Sequence, residues 1–190
     1  MNLVPTSSQT VGPFFSIGLG RLCNETIVAG EASGERVAIE GRVLDGDGIP
    51  VPDAVLEIWQ ADAQGAYPGD GSGSERLAGA AGFRGFGRVA TNEHGQFRFV
   101  STKPGCVKNH EGREQAPHLL VSIFMRGLLT RLVTRIYFPD EPRNANDLVL
   151  SLVPAERRNT LIAKAADGGA GSFEWNVILQ GLDETVFFEW

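Results

Sequence analysis

Cysteine, histidine, tyrosine and lysine are all scarce in this chain, and basic charge is outweighed by acid. Two cysteines, Cys23 and Cys106, cannot make a disulfide framework, so the fold has to rest on its core. A formal net charge of -6 lacks the basic face that phosphate neutralisation needs, and no nucleic-acid partner is expected. No apolar run approaches the roughly 18 residues of a membrane span. No basic-then-apolar leader opens the sequence at Met1-Asn2-Leu3-Val4-Pro5, so a soluble cytoplasmic protein without a membrane partner is the expectation. Lysine is rare even among the cations: 14 of the 17 basic residues are arginine. Arginine is favoured at interfaces and for bidentate carboxylate recognition, although compositional bias explains the skew equally well.

Glycine and proline, 24 and 10 in number, punctuate short apolar runs, which is the pattern of a β-rich chain. The length of 190 residues fits one domain with a real core. Strands are predicted over 36–45, 55–59, 88–91, 96–100, 118–125, 132–138, 173–179 and 185–188. Asp45-Gly46-Asp47-Gly48 and Asn92-Glu93-His94-Gly95 read as turns. The stretch from Tyr67 to Arg84 reads as a long loop. Helical signals are few: Asp140 as a cap for a turn starting Glu141-Pro142, and one or two turns over 155–164. About eight strands so spaced predict an all-β, antiparallel sandwich with residues 1–35 as a largely irregular N-terminal arm.

The metal-capable side chains, in order, are Tyr67, Cys106, His110, His118 and Tyr137, with His94 in its turn. Tyrosinate and imidazole suit ferric iron, but none of these spacings is specific. A lone histidine at a strand start is more often a hydrogen-bonded structural residue. His94 and His110 read as solvated, and Trp59, Trp175 and Trp190 as core or interface anchors. On a strand, His118 and Leu120 share a face. A histidine at 120 would complete a two-imidazole grip, and leucine cannot.

Three segments in order, Leu56 to Tyr67 (LEIWQADAQGAY), Lys103-Pro104-Gly105 and Ala116-Pro117-His118, resemble the core of the intradiol ring-cleavage dioxygenases. That resemblance implies a β-sandwich and non-haem ferric chemistry. The family pattern places a tyrosine ligand at the end of W-x-A-x-x-x-G-x-Y, a second two residues after K-P-G, and two histidines in R-P-A-H-x-H. Tyr67 and His118 match. Val107 stands at the second tyrosine, Leu120 at the second histidine, and Gln115 at an arginine that helps stabilise charge on bound catechol. The resemblance thus implies vestigial ligand positions at Tyr67, Val107, His118 and Leu120, and no iron in this chain.

Ser8 to Phe14 (SQTVGPF), Thr134 to Phe138 (TRIYF) and Leu179 to Phe188 resemble the branch of the family that pairs related alpha and beta sandwiches. There the beta subunit carries Fe(3+), the substrates are 3,4-dihydroxybenzoate and O2, and alpha–beta pairs assemble symmetrically. This chain is similar to the alpha type, which implies that Arg135, Thr10, Gly12 and Pro13 approach the substrate in the partner's pocket. No catalytic residue is implied in this chain alone. The plain alternative for Arg135 is an ion pair with a local carboxylate such as Asp140. A non-catalytic scaffold, or a stand-alone ferric enzyme with atypical ligands, are the competing readings of the whole.

Overall fold

A computed structural model describes residues 4–27, 34–68 and 83–189, so Trp190 and most of the expected loop from Tyr67 to Arg84 lie outside the described residues. Eleven strands are present among the described residues: β1 (Arg36–Leu44), β2 (Val55–Trp59), β3 (Phe86–Ala90), β4 (Gln96–Thr102), β5 (Val107–Lys108), β6 (Glu114–Gln115), β7 (His118–Phe124), β8 (Leu132–Tyr137), β9 (Lys164–Ala165), β10 (Ser172–Glu174) and β11 (Val177–Ile178).

Alternation drives the layering. Val37, Ile39 and Val43 of β1 and Phe97 and Phe99 of β4 point inward, as do Leu56 and Ile58 of β2, Val89 of β3, Leu119, Val121 and Ile123 of β7 and Ile136 of β8. Residues i and i+2 of a strand share a face, so each run supplies one apolar side to the common core. One layer runs β3-β2-β7-β8, all antiparallel; the other is centred on β1, with β4 antiparallel along one edge. The expected sandwich is present. Buried Gln60, just after β2, joins its layers: its Nε2 donates to the Thr102 carbonyl of β4 at 2.9 Å, and Ser101 Oγ donates to its Oε1.

Not every expected element survives. The single strand expected over 173–179 is two, β10 and β11, and both run parallel to β1 rather than antiparallel. Between them Trp175 N–H donates to the Glu40 carbonyl, and the Asn176 side chain accepts from Arg42 N–H at 2.8 Å, so a side chain replaces one rung of the ladder. The parallel pairing follows from the long crossover that separates β1 from β10. Residues 185–188 form no strand: Thr185, Val186 and Phe188 bond to Ile178, Thr160 and Val133 respectively, three partners with no common register.

Glu141, not Asp140, caps the short 3-10 turn Pro142–Asn146, because Pro142 is its first residue and the cap must sit one before it. The one or two turns expected over 155–164 are a 3-10 segment, Ala155–Leu161. The third strand starts two residues early, at Phe86. The N-terminal arm holds a short helix α1 (Pro13–Leu19), with proline in its first turn, and a second short helix, α2 (Leu148–Leu152), follows Asp147. Both had escaped the periodicity, being too short to show it. Among the described residues no helix is long and apolar enough to cross a membrane.

Gly41 is the tightest point of the β1 layer, where an added methyl would lie 1.7 Å from the Trp175 carbonyl oxygen. Gly41→Ala is therefore expected to cost about 3 kcal/mol or more. An unfolding free energy from urea titration within about 0.5 kcal/mol of the parent would contradict this packing.

Candidate functional site

The segment 59–67 is shaped by a turn around Asp62. Its side chain accepts from Gln64 N–H and Ala66 N–H, both at 2.9 Å, and its carbonyl accepts from Gly65 and Gly105 N–H. Gly65 has φ +84°, and a methyl there would meet the Cys106 carbonyl at 1.8 Å. Only glycine lets the two loops lie so close. The turn delivers Tyr67 onto Trp59, ring planes 4° apart and centroids 6.0 Å apart.

The β7–β8 hairpin sets the rest. Its register pairs His118 with Tyr137 and Leu120 with Arg135, so all four side chains lie on the face turned away from the main core. β2 adds Trp59 opposite Leu120. Arg135, 6% exposed, donates through Nη1 to Gln115 Oε1 at 2.8 Å and to the Tyr137 hydroxyl at 3.2 Å. Tyr137 in turn donates to Asp147 Oδ1 at 3.0 Å. The buried Asp147 carboxylate also accepts from Ala116 N–H at 2.8 Å and, as the cap of α2, from Leu150 N–H at 2.8 Å.

His118 Nδ1 lies 2.7 Å from the Ala116 carbonyl, which only accepts, so Nδ1 carries the proton and Nε2 a lone pair. Burial, and then the Arg135 guanidinium, lower His118 to about 4 and keep the ring neutral. Burial also raises the Tyr137 phenol, with Asp147 adding to the rise and Arg135 opposing it. Tyr137 is thus a neutral donor here rather than a tyrosinate.

A family profile described as "Dioxygenase" matches residues 12–181. The protocatechuate 3,4-dioxygenase alpha chain of Burkholderia cepacia is 45% identical over 98% of this chain and 98% of its own. The beta chain from the same organism is 34% identical over 86% of this chain and 72% of its own. An intradiol ring-cleavage dioxygenase from Tetranychus urticae has the same fold, with TM-score 0.63 and 19% identity over 82% of this chain and 85% of that one. This chain belongs to the intradiol ring-cleavage dioxygenases.

Membership implies iron chemistry for the enzyme, so the residues at the family's ligand positions can be tested for fit. Val107 is buried and apolar, and Leu120 likewise offers no donor atom. Tyr67 is stacked on Trp59, while the guanidinium of Arg135 reaches into the face shared by His118 and Leu120. Among the described residues no group of three or more His, Cys, Asp or Glu is arranged to hold a metal. Burial raises the Cys106 thiol, which opposes thiolate formation. These residues do not fit a ferric ion.

The other candidates are scattered. His94 is exposed in its turn, where Asn92 Oδ1 accepts from its N–H, and His110 is exposed beside Glu111. Thr10 Oγ1 accepts from Gly127 N–H at 2.8 Å, at the tip of the β7–β8 hairpin. Arg135 faces Leu120, about 13 Å before the end of β7 at 3.3 Å per residue. One chain therefore does not gather Thr10, Gly12 and Pro13 with Arg135. No described carboxylate, Asp140 included, forms an ion pair with Arg135. Asp147 was missed by sequence reasoning. Its one legible signal is an acid directly before Leu148-Val149-Leu150, an N-cap pattern.

His118 binds a proton more weakly folded than unfolded, so its contribution is full above about pH 6.5 and is lost as pH falls toward 4. This group alone should make the chain roughly 2 kcal/mol less stable at pH 5 than at pH 7.5. In His118→Gln that pH-dependent component should vanish from urea unfolding, while an equal slope in parent and variant would refute it.

Proposed function

We propose that this chain is the alpha-type subunit of a protocatechuate 3,4-dioxygenase, completing a substrate pocket whose Fe(3+) is held by a beta subunit. One observation carries this. A chain that follows an alpha chain more closely than a beta chain along its length has Val107 and Leu120 where iron would need ligands. The reaction is O2-dependent cleavage of 3,4-dihydroxybenzoate between its two hydroxylated carbons, giving 3-carboxy-cis,cis-muconate. The iron, where bound, supplies catechol chelation and the O2 chemistry.

This chain's share is position and charge. Thr10, Gly12 and Pro13 are exposed, and no atom lies within 4 Å of a methyl built on Gly12, so within this chain the loop is open to a ligand or partner. The substrate's carboxylate needs a charged donor when removed from water. Arg135, the cation the resemblance implies for it, is instead buried against Gln115 and Tyr137 on the face of this chain's own ligand positions. The arm over 1–35 is assigned to the subunit interface. Phe14 and Ile17 of α1 are 82% and 70% exposed, apolar surface that a partner would cover. The pair is placed in the cytoplasm, in a symmetric assembly of alpha–beta pairs.

Purified by itself, the chain should be colourless, iron-free and without O2 uptake on 3,4-dihydroxybenzoate, and active when co-purified with an iron-bearing paralogous chain. A coloured, active single chain overturns the assignment. In the complex, Gly12→Val should raise KM for 3,4-dihydroxybenzoate about tenfold with iron content unchanged. An unchanged kcat/KM would instead favour a scaffold.

A further inference from the structure

Two departures from the family pattern look independent in sequence and meet in space. The family pattern has arginine at position 115, and here Gln115 stands there. Position 135, twenty residues on and on another strand, carries the arginine. In the fold Arg135 Nη1 lies 2.8 Å from Gln115 Oε1. A guanidinium at 115 would put two permanent cations in contact, since arginine stays protonated at any working pH. Relative to that pattern, the guanidinium of this contact stands on β8 and not at 115.

Where it stands matters more. Arg135 sits opposite Leu120 and beside the His118–Tyr137 pair, on the one strand face that the surviving and lost histidine positions share. It is buried, and among the described residues its Nε has no hydrogen-bond partner and no carboxylate pairs with it. A hydrogen-bonded path links it to the Asp147 carboxylate through the Tyr137 hydroxyl. The phenol is thereby committed as acceptor from a cation and donor to an anion.

We propose that Arg135 stands in for the missing metal: its guanidinium supplies the fixed positive charge of this strand face and closes it to iron, so ligands restored at 107 and 120 alone do not hold the metal. Gln115 is its required neutral neighbour. An arginine at 115 is compatible with iron in the family pattern; one at 135 projects from the position paired with Leu120, onto the face a second histidine would share with His118, and restoring two ligands leaves it there. This rests on the family reading for which positions hold ligands in the pattern and for the arginine at 115.

The test uses the full chain expressed in iron-supplemented medium, with folding checked by circular dichroism and iron measured by elemental analysis. V107Y/L120H, with Arg135 kept, should hold less than about 0.1 iron per chain. Adding Q115R/R135Q to the same variant should raise iron at least fivefold and bring visible tyrosinate-to-iron absorbance. Near-stoichiometric iron with Arg135 in place overturns the proposal, and so does equally low iron in both folded variants. Iron in the unaltered chain would instead overturn the alpha-type assignment itself. A second measurement does not depend on metal. Melting temperatures of Q115R, R135Q and the double exchange should show coupling, with the double variant more stable than Q115R. Additive losses would overturn the proposed neighbour relation.

Discussion

A single buried carboxylate organises the β7–β8 face turned away from the main core. Asp147 accepts from the backbone of Ala116 at the entry to β7, from the phenol of Tyr137 on β8, and from the first turn of α2. Those bonds fix where β7 begins and which way Tyr137 points, and through Tyr137 they hold the Arg135 side chain. A carboxylate at 1% exposure is tolerable only because its oxygens meet donors on three separate segments. Removing it would leave a phenol, a backbone N–H and a helix start without partners in one place.

The same network explains why the altered positions form a set. In an iron site, charge is balanced by anionic ligands around a central cation. Here an anion and a cation sit on the protein itself, with a neutral phenol between them and a neutral imidazole alongside. Val107 and Leu120 then contribute apolar surface where donors would go unsatisfied, and Gln115 accepts from the guanidinium without adding charge. This face is thereby a structural element of the chain's own fold.

Much of the fold was legible because alternation is a local property. Val37, Ile39 and Val43, or Leu119, Val121 and Ile123, announce a strand and its buried face without reference to anything else. The strand over 173–179 was read correctly as extended but not as interrupted, since the break depends on Asn176 reaching Arg42, 134 residues away in sequence. Parallel pairing with β1 was equally invisible, because partner choice depends on the crossover and not on the strand's own composition. The short helices after Gly12 and Asp147 left only a proline and a cap residue as traces.

The sequence by itself determined the family, the layered β-architecture and the identity of the residues at the four ligand positions, because motif spacing and side-chain type are carried by the chain directly. Only the tertiary structure decided what surrounds those positions. Gln115 and Arg135 become one contact, Tyr137 becomes a hydrogen-bonded relay rather than a free phenol, and Asp147 enters the site at all, because register brings β7 and β8 together and a capped turn swings in beneath them. Those neighbours come from separate stretches of chain, and their electrostatics exist only once folding has excluded water between them.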